Sequence, residues 1–553
     1  MAEAITEMII PGTYIEVRSE GLIGVSGIAT GNLGAVGTAS KGPVDKAVIL
    51  SSFAEARDTF GDYDAWVDGA SDELTLVRAL QLAFSNGAST VYAVRTAHAS
   101  VASAVRTFGD ATGDVVTFTG ITPGTWAHDL TVVVKAAGAN AVIEDRHQVV
   151  AGGVVQPLHA NIAPSSGNTI KVIKGLTGKI LRYALKNTGV AVKGRAVIVS
   201  AAGALTFHAD DQPENGDRIS ATYQVDKGSA REITVAYGPA KEVYTVADAD
   251  DLLGDVTRAS RLVAVTIAAG AGARLPDVTS EPLPLGGASD GANAGASQYT
   301  LSLAKLDFED VNIAILAGQS ATDAAPILQA HCETAENNGR DRIAVVGADG
   351  DDPGTVAANA DAVSDDRLVL VSPGVKVTDL AKQADSTLPP AYGAAAIAGL
   401  IASLAVQVSP TNKTLAIGGI SRDYNDGEIK KLITSRVLVI EKKAGYRVMK
   451  GITTDIGAFK QISIRRIVDY AKAGTRIGCL PYIGKLNNAR VRAALKATLN
   501  GFLADMVLNE ALTEFQLQVT ATREQEIAGV CLVTMYLKPT FSIDYIKVIM
   551  NLA

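Results

Sequence analysis

The sequence predicts a multidomain chain of mixed α/β and α+β class, interrupted by an all-β insertion and ended on both sides by extended strands. Three observations predict this. Near-continuous apolar runs alternate with amphipathic helical segments on either side of residues 113–284, which argues for a mixed or parallel sheet covered on both faces. Within 113–284, short alternating runs lie between Gly, Asn, Asp and Pro, the pattern of an all-β module or of two small β domains in tandem. The chain also closes on FSIDYIKVIMNLA, Phe541 to Ala553, a β-prone apolar stretch at a free end.

The elements follow in order. Residues 1–22 form an N-terminal arm in which TYIEV alternates as a strand after Pro11-Gly12, with Tyr14, Ile15 and Val17 as its β-prone residues. The first α/β part, 23–112, contains the strands AVILSS and STVYAVRT, a helix over FAEARDTF capped by Ser52 and stopped at Gly61, and an amphipathic helix over ELTLVRALQLAF. After the insertion, the second α/β part, 285–410, carries VNIAILAG, DRIAVVGAD and RLVLVSPG as buried strands. It ends on an Ala-rich helix over Ala391–Gln407. A C-terminal α+β domain, 411–538, follows. It reads AFKQISIRRIVDYAKAG as a strand running into a helix that carries Arg465 and Arg466, places a helix after Asn487 or Asn488, and ends on the strands FQLQVTA and GVCLVTMYLKP. The C-terminal arm is 539–553, with Phe541, Ile543, Tyr545, Ile546 and Val548 as its strand residues.

Composition narrows the function. The 553 residues suggest three or four domains on a length prior of about 150 residues each. No run reaches the roughly 18 apolar residues of a membrane helix, and MAEAITEMII lacks the basic start of a signal peptide. Three widely separated cysteines, Cys332, Cys479 and Cys531, form neither a disulfide framework nor a metal spacing, so a reducing, cytoplasmic site of folding is expected. The six histidines form no metal motif, and no nucleophile elbow or phosphate loop is present. The Gly-rich LGGASDG and the acidic GADGDDPG read as turns. The reading is therefore of a protein that is not an enzyme and has no cofactor.

Charge is unevenly placed. From Thr411 onward there are 21 basic and 12 acidic residues, whereas the whole chain has 50 and 58. A basic C-terminal region on an acidic body suggests a surface facing something negative. Arg465, Arg466, Lys472, Arg490, Arg492 and Lys496 are the candidates for that face. Aromatic residues are not interleaved with them, which argues against direct nucleic-acid binding.

Several stretches, in order, resemble the contractile tail sheath proteins of myophages and related contractile injection systems. They are PGTYIEV, GAVGTASKGPVDKAVILSSFAEARDTFG, GTWAHDLTVVV, LGGASDG, DRIAVVGA, LVLVSPG, GYRVMKGITT, ISIRRIVDYAKAG and KPTFSIDYIKVIM. Ala127-His128 depart from the family's Gly-Asn at that place. The resemblance implies a subtilisin-like fold, without its catalytic set, for the middle domain. It implies a homopolymer of stacked rings around an inner tail tube, with partners at the baseplate and tail terminator and with neither nucleic acid nor membrane bound directly. The subunit would contract from a metastable extended state and drive the tube through a target envelope. It would sit in a virion tail or injection particle assembled in the host cytoplasm. The C-terminal domain would face the tube and the insertion would face outward. The terminal arms would add strands to neighbouring subunits, with Gly21, Gly24 and Pro539 as hinges.

Overall fold

The computed structural model of the protein describes residues 27–67 and 73–550. Tyr14, Ile15 and Val17 of the N-terminal arm and the hinge residues Gly21 and Gly24 lie outside the described residues. The chain divides into two compact units, one built from residues up to 98 and from 293 onward, the other from 99–292.

The first unit centres on a nine-stranded mixed sheet. Its strands, in spatial order, are Ala47–Leu50, Val91–Arg95, Leu33–Gly37, Ile313–Leu316, Ile343–Gly347, Leu368–Ser372, Leu438–Lys442, Tyr446–Val448 and Thr414–Leu415. The run from Val91–Arg95 to Leu438–Lys442 is parallel throughout, and the outer strands are antiparallel. Alternate residues serve opposite faces. Ile313, Ile343, Val345, Val369 and Val371 join the core under the helices Thr75–Ser85 and Pro390–Ser403. Ala314, Leu316, Ala344, Val346, Leu368 and Leu370 join the core under Ala296–Leu303, Ala321–Asn337, Pro353–Ala362 and Asp426–Thr434. That two-sided burial is why these strands are apolar without alternation. Residues 414–448, which the sequence groups with the C-terminal domain, supply three strands to this sheet.

Small residues let the two helices on one face touch. A Cβ on Gly399 would lie 2.2 Å from the Ala83 carbonyl oxygen, so only glycine permits this approach. Ser52 caps the helix Phe53–Phe60, accepting from the Glu55 amide, and Gly61 ends it at φ +82°. Asp349, Asp351 and Asp352 are structural. Asp352 caps Pro353–Ala362, Asp349 accepts from the Thr322 amide, and Asp351 accepts from the Gly374 amide.

A further layer follows Thr454. The helix Ile462–Cys479 crosses Ala489–Leu508, and Leu512–Thr520 pairs with Leu532–Pro539 in a two-stranded sheet. Asn488 is the cap of the second helix, and Leu495, Leu499, Phe502 and Met506 are its buried stripe. The strand expected at the start of AFKQISIRRIVDYAKAG reduces to one bridge between Gln461 and Ile452, and the helix begins at Ile462. Ile464 and Ile467, three apart, share a face packed against the second helix, whereas Ile462 enters the core of the large sheet.

The second unit holds a six-stranded sheet, a four-stranded sheet and a three-stranded sheet around two cores. It also contains a helix, Ala249–Ala259, which the all-β expectation omits. Asp248 caps it and Leu252 and Val256 bury its apolar side, a short pattern easily read as a loop between strands.

Candidate assembly surfaces

Asp544 and Tyr545 hold the C-terminal segment against its own chain. Lys450 Nζ lies 3.6 Å from Asp544 Oδ2, donates to the Tyr545 hydroxyl at 3.1 Å, and sits 5.1 Å from the Tyr545 ring centroid. Gln461 also donates to Asp544 at 3.3 Å. The apolar side chains point the other way. Phe541, Ile543, Ile546, Val548, Ile549 and Met550 are exposed, Ile546 to 83%. No strand among the described residues pairs with 541–550. The segment is thus polar toward its own domain and apolar toward solvent, the reverse of a segment settled on a monomer. Pro539 is the last residue of the preceding strand, opposite Leu512.

Of the six basic candidates, Arg465 and Arg466 are corrected from surface to interior, and Lys472 is half-buried and engaged within its own chain. Arg465 is buried, paired with Asp366 and Asp469 at 2.6 Å each and stacked 4.1 Å from the Phe459 ring. Arg466 is buried too and donates to the carbonyls of Thr30 and Leu404, at 3.0 and 2.9 Å. Burial lowers its guanidinium to about 10. Lys472 binds Glu336 at 2.6 Å and also Asp341. These three cations are engaged inside the chain because their helix packs against the parallel sheet's ends, where Glu336, Asp341 and Asp366 lie. Arg492 is half-buried and pairs with Glu526 at 2.9 Å. Arg490 and Lys496 are exposed and carry no ion pair among the described residues.

Arg465 and Lys472 belong to one ion-pair network centred on Arg367, which Arg466 does not join. Arg367 bridges Glu336, Asp341 and Asp469 at 2.9 to 3.0 Å, and Arg476 joins Asp341. The hydrogen bond from Arg367, with Lys472 in support, pulls Glu336 down to about 2. Beside it, a cleft of about 640 Å³ is lined by Ile28, Thr30, Asp310, Asn312 and Arg476. It opens at the place where residues 27–30 enter the fold.

Two polar clusters escaped the sequence reading because their members are far apart in the chain. His331 is buried between Arg342 and Asp307, and burial pushes its imidazole down to about 3. In the second unit His159 meets Asp248 at 2.7 Å and Asp251 at 3.2 Å, with Arg146 and Tyr223 alongside. Burial opposes the His159 charge, but hydrogen bonds to the two carboxylates override it and raise the imidazole to about 9. Arg146, 3.2 Å from both aspartates, already supplies the cation there.

Comparison with known proteins bears on the first unit most directly. Residues 292–454 match the family described as phage tail sheath protein central domain, and 455–553 match the phage tail sheath C-terminal domain. A tail sheath protein of Mycobacterium phage Bxz1 is 26% identical over 282 residues, 48% of this chain. The match spans about half, 47%, of that relative's length. Among solved structures, the sheath tail protein of Desulfitobacterium hafniense aligns over 96% of this chain and all of its own, with a TM-score of 0.57 at 14% identity. That of Listeria innocua aligns over 94% and 93%, with a TM-score of 0.59 at 14% identity. These two likenesses are of fold.

Proposed function

We propose that this chain, whose residues 292–553 match the phage tail sheath central and C-terminal domain families, is a structural subunit that polymerises around an inner tube. It contracts from a metastable extended state to drive that tube through a target envelope. The carrying observation is the C-terminal segment, whose apolar side chains are exposed and have no strand partner among the described residues. Burying side chains such as Ile543, Ile546 and Val548 is worth roughly 1.5–3 kcal/mol each, a drive toward pairing with a second molecule.

In this reading 541–553 leaves the strand end at Pro539 and adds to a sheet of a neighbouring subunit. The residues 13–17 do the same from the other end, with Gly21 and Gly24 as the hinge. The two-stranded sheet of Leu512–Thr520 and Leu532–Pro539 supports the reading, since its outer edges have no strand partner among the described residues. Added strands keep their ladders while connectors absorb the displacement of contraction. The C-terminal layer faces the tube, and of its basic residues Arg490 and Lys496 remain available for an acidic partner. The unit 99–292 is an outward-facing insertion in a subtilisin-like middle domain. Baseplate and terminator proteins bound the polymer. The reading covers a phage tail and a non-viral injection particle alike, which neighbouring capsid genes would separate.

Deletion of 541–553 tests the arm. Electron microscopy should show cylinders from the full chain and dispersed particles from the truncated one, with unchanged circular dichroism. Normal cylinders from the truncated chain would end the proposal for this arm. Arg490→Glu with Lys496→Glu should weaken assembly on the tube, and unaltered assembly would remove those two residues from it.

A further inference from the structure

In the second unit, the six-stranded sheet runs Leu205–Thr206, Ala196–Val199, Ile180–Lys186, Thr169–Ile173, Arg218–Val225, Ala141–Val149. One face is a core of Ile170, Val172, Tyr183, Leu185, Ile219 and Tyr223. The register sets the other face. Lys171 stands opposite Arg182 and Ser220, Ile173 opposite Ile180 and Arg218, and Lys186 opposite Ile198. Between 171 and 195 there are seven basic residues and no acid, in a chain of net charge −8. Lys171 pairs with Asp145 at 3.1 Å, Lys174 with Asp217 at 2.8 Å, and Lys193 with Asp210 at 2.9 Å. Lys179, Arg182, Lys186, Arg195 and Arg218 are exposed and form no ion pair among the described residues. The acids at this face are Glu144 and Asp145, on the edge strand Ala141–Val149.

A cluster of unneutralised cations on an acidic chain costs self-repulsion and gives no internal return. We propose that this sheet face binds an acidic polysaccharide. Arg182 and Lys186 lie two side-chain steps apart on one strand, and Arg218 is two strands away. Alternate residues rise about 6.7 Å and strands sit about 4.8 Å apart, so the cations make a flat grid that an extended polyanion can follow. Two other occupants fit less well. Protein interfaces are rich in aromatics and poor in lysine at their centres, and here Tyr183 and Tyr223 point into the core. Single-stranded nucleic acid requires aromatic faces for stacking, which those same orientations deny. Guanidinium forks on Arg182 and Arg218 suit sugar carboxylates.

The inference does not depend on the sheath reading, since a dispersed chain has the same face. The test is affinity electrophoresis of the full chain in gels holding polygalacturonate, neutral dextran or duplex DNA, over a salt series. Retardation by polygalacturonate alone is expected, fading as salt rises. The triple variant Arg182→Glu, Lys186→Glu, Arg218→Glu should bind at least about tenfold more weakly, and the Gln triple should fall between. Both keep the core residues, which circular dichroism checks. Equal retardation of wild type and variant, or none beyond dextran, overturns the proposal. So does tighter binding to DNA, or a triple variant that loses self-assembly while still binding polygalacturonate.

Discussion

Replacing Asp341 by Asn should loosen the helix Ile462–Cys479 from the sheet. The Asp341 carboxylate is almost wholly buried and takes Arg367 at 2.9 Å together with Lys472 and Arg476. Breaking a buried pair from one side costs about 3–5 kcal/mol. Lys472 and Arg476 are 31% and 41% exposed, so water recovers part of their loss. Arg367 keeps Glu336 and Asp469. The net expectation is about 2–3 kcal/mol, locally. A chain of several units does not unfold in one step, so the measurement is amide exchange in peptides from 462–479. At about 1.4 kcal/mol per tenfold, exchange should accelerate roughly 30- to 150-fold. Less than a threefold change would refute the clamp. Lys472→Met added to Asp341→Asn should recover part of the loss, because the stranded cation is gone. Acid acts on the same network. The Glu336 carboxyl is depressed from its ordinary 4.5 to about 2, so its contribution is present above about pH 4.5 and is lost as pH falls through about 2.

Glu73 should behave in the opposite sense. Burial raises its carboxyl to about 7 despite hydrogen bonds from Tyr392 and Arg78. Its stabilisation is therefore fully present below about pH 4.5 and lost as pH rises through about 7. Melting temperature should fall between pH 5 and pH 8, and Glu73→Gln should flatten that slope; an unchanged slope would rule Glu73 out as its source. At Gly474, a Cβ would stand 2.0 Å from the Phe502 ring. Gly474→Ala should destabilise by up to about 2 kcal/mol, as overpacking of about 1–3 is set against a helix-propensity gain of about 1. At Gly501 nothing lies within 4 Å of a Cβ, so Gly501→Ala should raise the melting temperature slightly. Equal effects at both positions would contradict the packing assigned to the Phe502 ring.

Which elements exist was legible where local chemistry decides them. The Ser52 and Asn488 caps, the Gly61 stop and the apolar runs at 313–316, 343–347 and 368–372 each carry their own signal. Partners were not legible. Nothing in LVLVS announces that its sheet continues into Leu438–Lys442, because pairing is fixed by the whole layer. The basic face failed for a related reason. Arg465 and Arg466 look solvated in a one-dimensional reading, yet the acids and carbonyls that absorb them come from residues 30, 366 and 404. The helix Ala249–Ala259 was missed because eleven residues between strands give only a cap and two apolar contacts. The seven cations of 171–195 were equally visible in sequence, but their meaning needed the register that puts Arg182, Lys186 and Arg218 on one face.

The two surfaces of the C-terminal layer impose different mechanical roles. Lys472 and Arg476 bind Ile462–Cys479 to the sheet through the buried carboxylate of Asp341, which Arg367 also holds. Sliding this helix would strand the buried Asp341 carboxylate at about 3–5 kcal/mol, which favours the layer and sheet moving as one body. Beyond Pro539 the chain is held by little more than Lys450 and Gln461 on Asp544 and Tyr545. Lys450 and Asp544 are 23% and 12% exposed, so each such contact is worth on the order of 1–3 kcal/mol. Pairing 541–550 into a neighbouring sheet would bury several aliphatic side chains at roughly 1.5–3 kcal/mol each. The balance favours release of the segment from its own domain before any deformation of the body that carries it. A polymer of such subunits would therefore change shape through its connectors, with the clamp around Asp341 keeping each body rigid.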